Sequence, residues 1–154
     1  MKSKNPLGAG NQQERLDLAW WIVGFTDGEG CFSISIFKNR TNRLGWQVMP
    51  EFVLTQGASS LVALQQVQAY FACGKIFINT RTDNHHEHLY RYCVRRRNDL
   101  ETKIIPFFES FQLQTNKRVS FERFRLVVAL MKNNHHLTTT GLHEIAGKVG
   151  KKIE

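Results

Sequence analysis

Asp27-Gly28-Glu29-Gly30 sets two carboxylates two residues apart, with a glycine after each. Carboxylate oxygens are hard ligands suited to a cation such as Mg2+. Before them, Leu16, Ala19, Trp20 and Val23, with Ile22 and Phe25 on an adjoining strip, recur at helical spacing. The acids therefore fall at a helix C-terminus, where the macrodipole is already negative. Two carboxylates there need compensation, which a divalent cation can supply. Taken alone, such a turn also fits two solvated acids where a helix stops at glycine. A second chemical cluster is Lys117-Arg118 at the start of a later helical run. Positive charge is the wrong sign for a helix N-terminus, but a phosphate can use both the lysine and the free backbone N–H groups.

Other clusters carry less. His85, His86 and His88, or His135, His136 and His143, lack the cysteines or acids that complete a zinc site; they read as hydrogen-bonding or phosphate-contacting histidines. Cys31, Cys73 and Cys93 are odd in number and at no metal-ligand spacing, as expected of buried thiols in a reducing compartment.

The chain has 154 residues, 42% of them hydrophobic, enough for one domain with a real core. Its formal net charge is +8, which implies a polyanionic partner. Nucleic acid is favoured over a membrane surface, because the longest helical patterns carry acids as well as bases. No secretory signal or membrane span is visible. Residues 1–13, with Pro6, Gly8 and Gly10, read as a loose arm without the arginines of a transit peptide, and 14–154 as the domain.

The positioning elements follow from periodicity. A first helix is expected from Glu14 to Asp27; Gly24 within it costs about 1 kcal/mol against alanine and permits close approach of another backbone. A strand follows from Cys31 to about Lys38, with Phe32, Ile34 and Ile36 on one side and Ser33 and Ser35 on the other. A basic turn leads to Trp46–Thr55, where Trp46, Val48, Phe52 and Leu54 face one way and Gln47, Met49 and Glu51 the other. A second helix carries Leu61, Leu64, Val67 and Phe71, and Cys73-Gly74 ends it. A second hairpin runs from Lys75 through 81–86 to Leu89–Arg95. Asn98-Asp99 is expected to cap a third helix that Pro106 bends or restarts. Thr115 or Asn116 is expected to cap a fourth from Lys117 to Met131. The pattern predicts an α+β fold: two hairpins in one antiparallel four-stranded sheet, helices on one face, and a polar, partly basic outer face carrying Ser33, Ser35, Gln47, Lys75, Asn79, Arg81 and Arg91. Such a surface can enter a DNA major groove, although a solvated sheet face has the same composition.

Ile22-Val23-Gly24-Phe25-Thr26-Asp27-Gly28-Glu29-Gly30 resembles the nine-residue motif of the LAGLIDADG homing endonucleases, closely in its acids and glycines and more loosely in its apolar half. His136-Leu137-Thr138 and Gly141-Leu142 resemble the organelle-intron branch. The resemblance implies an αββαββα core with a curved sheet, and a motif helix that packs on its twin through Leu16, Trp20, Val23 and Gly24. Val23 stands where the family prefers a smaller residue. Glu29 corresponds to the metal-binding acid, with the Gly28 carbonyl as a second ligand; Asp27 is mainly structural. Gln56 resembles a residue that orders water, and Lys117 one near the cleaved phosphate. No basic residue follows Gln56 where the family often has one. DNA contacts are implied for Ser33, Ser35, Phe37, Lys38, Asn39, Arg40, Arg43, Gln47, Met49, Glu51, Lys75, Phe77, Asn79, Arg81, Arg91, Arg95 and Arg118.

Hydrolysis of a phosphodiester needs a nucleophilic water, charge neutralisation and help for the leaving oxygen, which two metals about 3.5–4 Å apart supply. One carboxylate per chain cannot hold such a site, so a single motif implies a homodimer. The expectation is a Mg2+-dependent endonuclease (Mn2+ able to substitute) that cuts double-stranded DNA at a long pseudo-palindromic site and leaves 3′ overhangs, in a chloroplast or mitochondrion. An RNA-binding maturase acting on its intron, or a non-catalytic DNA-binding protein on the same fold, are the alternatives.

Overall fold

The structure, a computed structural model, describes residues 9–80 and 87–154. The element order is α1 Ala9–Glu29, β1 Gly30–Lys38, β2 Trp46–Gly57, α2 Leu61–Phe71, β3 Lys75–Asn79 and β4 Leu89–Val94, then α3 Arg97–Asp99, α4 Ile105–Ser110, α5 Lys117–Lys132 and α6 Thr139–Lys148. The four strands make one antiparallel sheet in the order β1-β2-β4-β3, as the alternating patterns predict. In register, Gly30 pairs with Leu54, Phe52 with Val94 and Phe77 with Arg91.

Side chains at even positions of β1, β2 and β4 face the helices. Phe32, Phe52, Leu54, Tyr92 and Val94 pack there against Ala19, Ile22 and Val23 of α1, Leu64, Val67 and Phe71 of α2, and Phe121, Phe124 and Val128 of α5. Phe32 is the hub: its ring centroid lies 5.2 Å from those of Phe52, Phe108 and Phe121 and 5.4 Å from that of Phe124. A second cluster joins Ile36 and Val48, at the far end of the first hairpin, to Val127 and Met131 of α5 and Leu142 and Ile145 of α6. The Thr138 side chain caps α6 by accepting from the Gly141 amide.

Three local expectations need correction, and the choice of cap for α5 is narrowed to Thr115. The first helix begins at Ala9, five residues before Glu14, and Gln13 donates to Asp17 one turn on. Asn98 and Asp99 lie inside the third helical segment, which starts at Arg97 after Arg96 in extended conformation. That segment continues through a π-helical stretch, Leu100–Ile104, into α4. The wider turn lies just before Pro106, whose ring would otherwise meet the carbonyl one turn back. Asn116 precedes α5 without a side-chain cap; the Thr115 hydroxyl instead accepts from the Lys117 amide at 3.2 Å. α2 ends at Ala72, in the left-handed region at φ 50°, one residue before Cys73-Gly74.

Candidate active site and nucleic-acid interface

α1 runs directly into β1, so the acidic motif sits at the junction of helix and sheet. The junction requires glycine at position 30: a Cβ there would lie 2.7 Å from the Thr26 carbonyl oxygen. Glu29 is exposed, and the described residues offer its carboxylate no hydrogen bond or ion pair. Asp27, two residues earlier, is fully engaged. Its Oδ2 accepts from the Gln114 amide at 2.9 Å, and its Oδ1 from the Thr115 amide at 3.1 Å and hydroxyl at 2.7 Å. Partial burial pushes this carboxyl up, but those hydrogen bonds and the Lys117 charge outweigh it and hold it below the ordinary aspartate value.

The same loop delivers Lys117. Its ammonium donates to the Gly30 carbonyl oxygen at 2.6 Å. A lysine 87 residues downstream therefore stands against the residue that follows Glu29. Gln56 lies two residues beyond Leu54, the register partner of Gly30, so it extends past the end of β1 on the motif side. The loop amides of Gln114 and Thr115 belong to this site as well, and only Thr115, just before the basic helix start, marks them in the sequence.

The donor set fits a hard cation in part. Glu29 is an uncommitted carboxylate beside backbone carbonyls, the right chemistry for Mg2+. Asp27 is committed elsewhere, so each chain offers one carboxylate. Among the described residues no group of three or more His, Cys, Asp or Glu is placed to hold a metal ion.

The outer sheet face carries the odd positions. Ser33, Ser35 and Phe37 of β1 lie opposite Glu51, Met49 and Gln47 of β2, while Lys75, Phe77 and Asn79 of β3 flank Arg91 of β4. Most are half-buried or exposed. Glu51 is different and its expected role needs correction: it is 6% exposed, and Arg91 and Arg95 both donate to its carboxylate, so it is not an open contact residue. Lys38 stands on the opposite face, its ammonium 5.5 Å from the Trp46 ring centroid. Asn39 is taken up within the turn: its side-chain amide donates to Gln47 at 2.7 Å and its Oδ1 accepts from Thr41. Arg43 donates to the Leu137 carbonyl at 3.1 Å, tying this turn to the tail, and Arg40 is exposed. Arg118 is exposed, near Glu109 and Gln112. Arg81, His85 and His86 lie outside the described residues.

On the far side of α1, Leu16, Trp20 and Trp21 are 39%, 50% and 40% exposed. Leu16, Trp20, Gly24 and Gly28 recur every four residues and so form one stripe. A Cβ added at Gly24 would touch nothing within 4 Å. Val23 does not belong to this stripe: it is 2% exposed and points into the chain's own core, one residue being about 100° around the helix. No helix among the described residues is long and apolar enough to cross a membrane.

Residues 22–128 match the sequence profile of the LAGLIDADG endonuclease family. The chain is similar to "Probable intron-encoded endonuclease 2" of Neurospora crassa, 36% identical over 127 residues that make up 81% of this chain and 27% of that protein. It thus spans about a quarter of the length of the first curated relatives it matches. Among solved structures it is similar to the homing endonuclease I-TnaI, with a TM-score of 0.75, 36% identity and 84% of each chain covered. It is also similar to the LAGLIDADG homing endonuclease I-SmaMI bound to cleaved DNA, with a TM-score of 0.77, 30% identity, and 86% of this chain and 42% of that one covered. With the motif at the helix–sheet junction, the four-stranded sheet and these matches, the chain belongs to the LAGLIDADG endonuclease family.

Proposed function

We propose that this chain is one half of a homodimeric, site-specific endonuclease that cuts both strands of duplex DNA across the minor groove and leaves 3′ overhangs. The observation that carries the reading is the Lys117–Gly30 contact, which sets a cation against the residue that follows an uncommitted carboxylate in a basic protein. That arrangement offers an anion-stabilising group and a metal ligand together, as phosphodiester hydrolysis requires.

Glu29 and the Gly28 carbonyl would hold Mg2+, or Mn2+ in its place, and the cation would supply charge neutralisation and activation of water. Lys117 stabilises negative charge on the scissile phosphate. Asp27 is a positioning residue, because it holds the amides that open the loop into α5. Gln56 orders water on the neighbouring strand end. Each copy contributes one free carboxylate, so two copies meet along the Leu16–Trp20–Gly24 stripe, and a two-fold axis there brings both motifs together. The outer sheet face of each copy reads one half of a long, nearly palindromic target. Relatives named as intron-encoded support an intron origin, and the resemblance to the organelle-intron branch extends that reading to a chloroplast or mitochondrion.

Glu29→Gln should abolish cleavage in Mg2+ while specific duplex binding persists. A variant that still cuts at the wild-type rate would remove Glu29 from the chemistry.

A further inference from the structure

Glu51 is the one charged residue among the buried residues described, and it sits on the outer sheet face next to buried Val53 and Cys93. Burying a carboxylate is costly unless it is paired and hydrogen-bonded. Here Arg91 of β4 and Arg95, just past its end, satisfy it, one at each carboxylate oxygen. Arg91 Nη2 donates to Oε1 at 3.2 Å, and Arg95 Nε donates to Oε2. Arg91 and Arg95 lie four residues apart and both reach Glu51, with Cys93, 3% exposed, between them in sequence.

The two arginines are held differently. A guanidinium has two edges that can grip a partner bidentately, one built on Nε and one on the two terminal nitrogens. Glu51 takes Arg95 through Nε, which leaves the terminal pair, and the described residues give that pair no acceptor. The Arg95 guanidinium carbon also lies 5.7 Å from the centroid of the Phe77 ring. Carboxylate and ring together restrain the fork in its plane and out of it, while the Arg95 side chain stays 48% exposed. A pre-aimed, exposed arginine fork on a surface that meets a major groove matches the O6/N7 edge of guanine.

We propose that Arg95 is a preset guanine reader and that Glu51 is its positioning residue, with Phe77 as the second restraint. The assignment rests on the DNA-binding reading above. Arg91 supplies the second positive charge that keeps the acid from repelling the duplex. Freed from Glu51, Arg95 would still attract phosphate, but it would sample many orientations and lose its base preference.

The test is selection of bound duplexes from a randomised library by the wild type, Glu51→Gln, Arg95→Lys and Phe77→Leu, each first shown folded by its thermal transition. The wild type should show at least one guanine column in each half-site, preferred by about tenfold or more over other bases. Arg95→Lys should flatten that column. Glu51→Gln should flatten the same column to within about threefold, and the other columns should survive. Phe77→Leu, which keeps the ion pair, should weaken it partially and serves as the probe if Glu51→Gln does not fold. A profile unchanged in Glu51→Gln, or lowered evenly at all positions, overturns the positioning role. A wild type that selects a target without a guanine column sensitive to Arg95 overturns this assignment alone. A wild type that selects no duplex at all overturns the endonuclease reading with it.

Discussion

The Lys117 ammonium lies 2.6 Å from the Gly30 carbonyl oxygen, and the same short segment that begins α5 is held by Asp27. Helix α5 is thus pinned twice to the α1–β1 junction, once by its lysine and once by the loop amides before it. The junction places Glu29, while the two pins place Lys117. An error in either pin moves Lys117 relative to Glu29 without touching either side chain.

Asp27→Asn tests the first pin. An amide can accept at one oxygen only, so at least one of the three donors of Gln114 and Thr115 loses its partner. The expected cost is about 1–2 kcal/mol in urea unfolding, and cleavage should fall further than stability alone accounts for. The pH dependence has a fixed sign. Folding lowers the Asp27 pKa, so the carboxylate's contribution is complete above the unfolded value of about 3.9 and is lost as pH falls through the lower folded value. The stability gap between wild type and Asp27→Asn should therefore close on acidification through that window. A gap that is constant with pH would mean the carboxylate charge is not what holds the loop.

Gly24→Ala separates folding from pairing. The position is open in the single chain, so the added methyl should stabilise an isolated protomer by about 0.5–1 kcal/mol through helix propensity. In a pair of helices approaching through this residue, the same methyl pushes the backbones apart. Sedimentation should show weaker association and urea unfolding a protomer no less stable. Undiminished association would place the partner surface elsewhere.

Phe32→Ala should be among the most damaging changes in the core. The ring is 7% exposed and meets four other phenylalanine rings from the sheet, α4 and α5. A loss of about 3–5 kcal/mol is expected from the cavity and the lost burial, read by chemical denaturation. Because Phe32 lies two residues after Gly30, the loss should also loosen the motif junction.

Periodicity made most of the architecture legible. The shift from helical spacing before Asp27 to strict alternation after Gly30 locates the helix–strand junction, and two alternating hairpins locate the sheet. What stayed hidden depended on partners distant in sequence. Glu51 alternates as a solvent-facing residue should, and only the return of Arg91 and Arg95, 40 and 44 residues later, buries it. Asp27 looks equivalent to Glu29 until the amides of Gln114 and Thr115 claim it. Val23 shares an apolar helix with Trp20, and only the position of the sheet determines which of the two points inward. Arg43 reads as a free loop cation, yet it closes on a carbonyl 94 residues away.

The most direct test of the central claim is selection for cleavage from a randomised duplex library, with wild type and Glu29→Gln, in Mg2+ and in Ca2+. Wild type in Mg2+ should yield cut products with a near-palindromic consensus and 3′ overhangs. Glu29→Gln should yield none while retaining the same duplexes uncut, and Ca2+ should support retention in both. Specific retention by the wild type without cutting in Mg2+ would contradict the account and leave a DNA-binding protein. Cutting by Glu29→Gln would place the chemistry outside the motif, and a wild type that neither cuts nor retains duplex would turn attention to RNA.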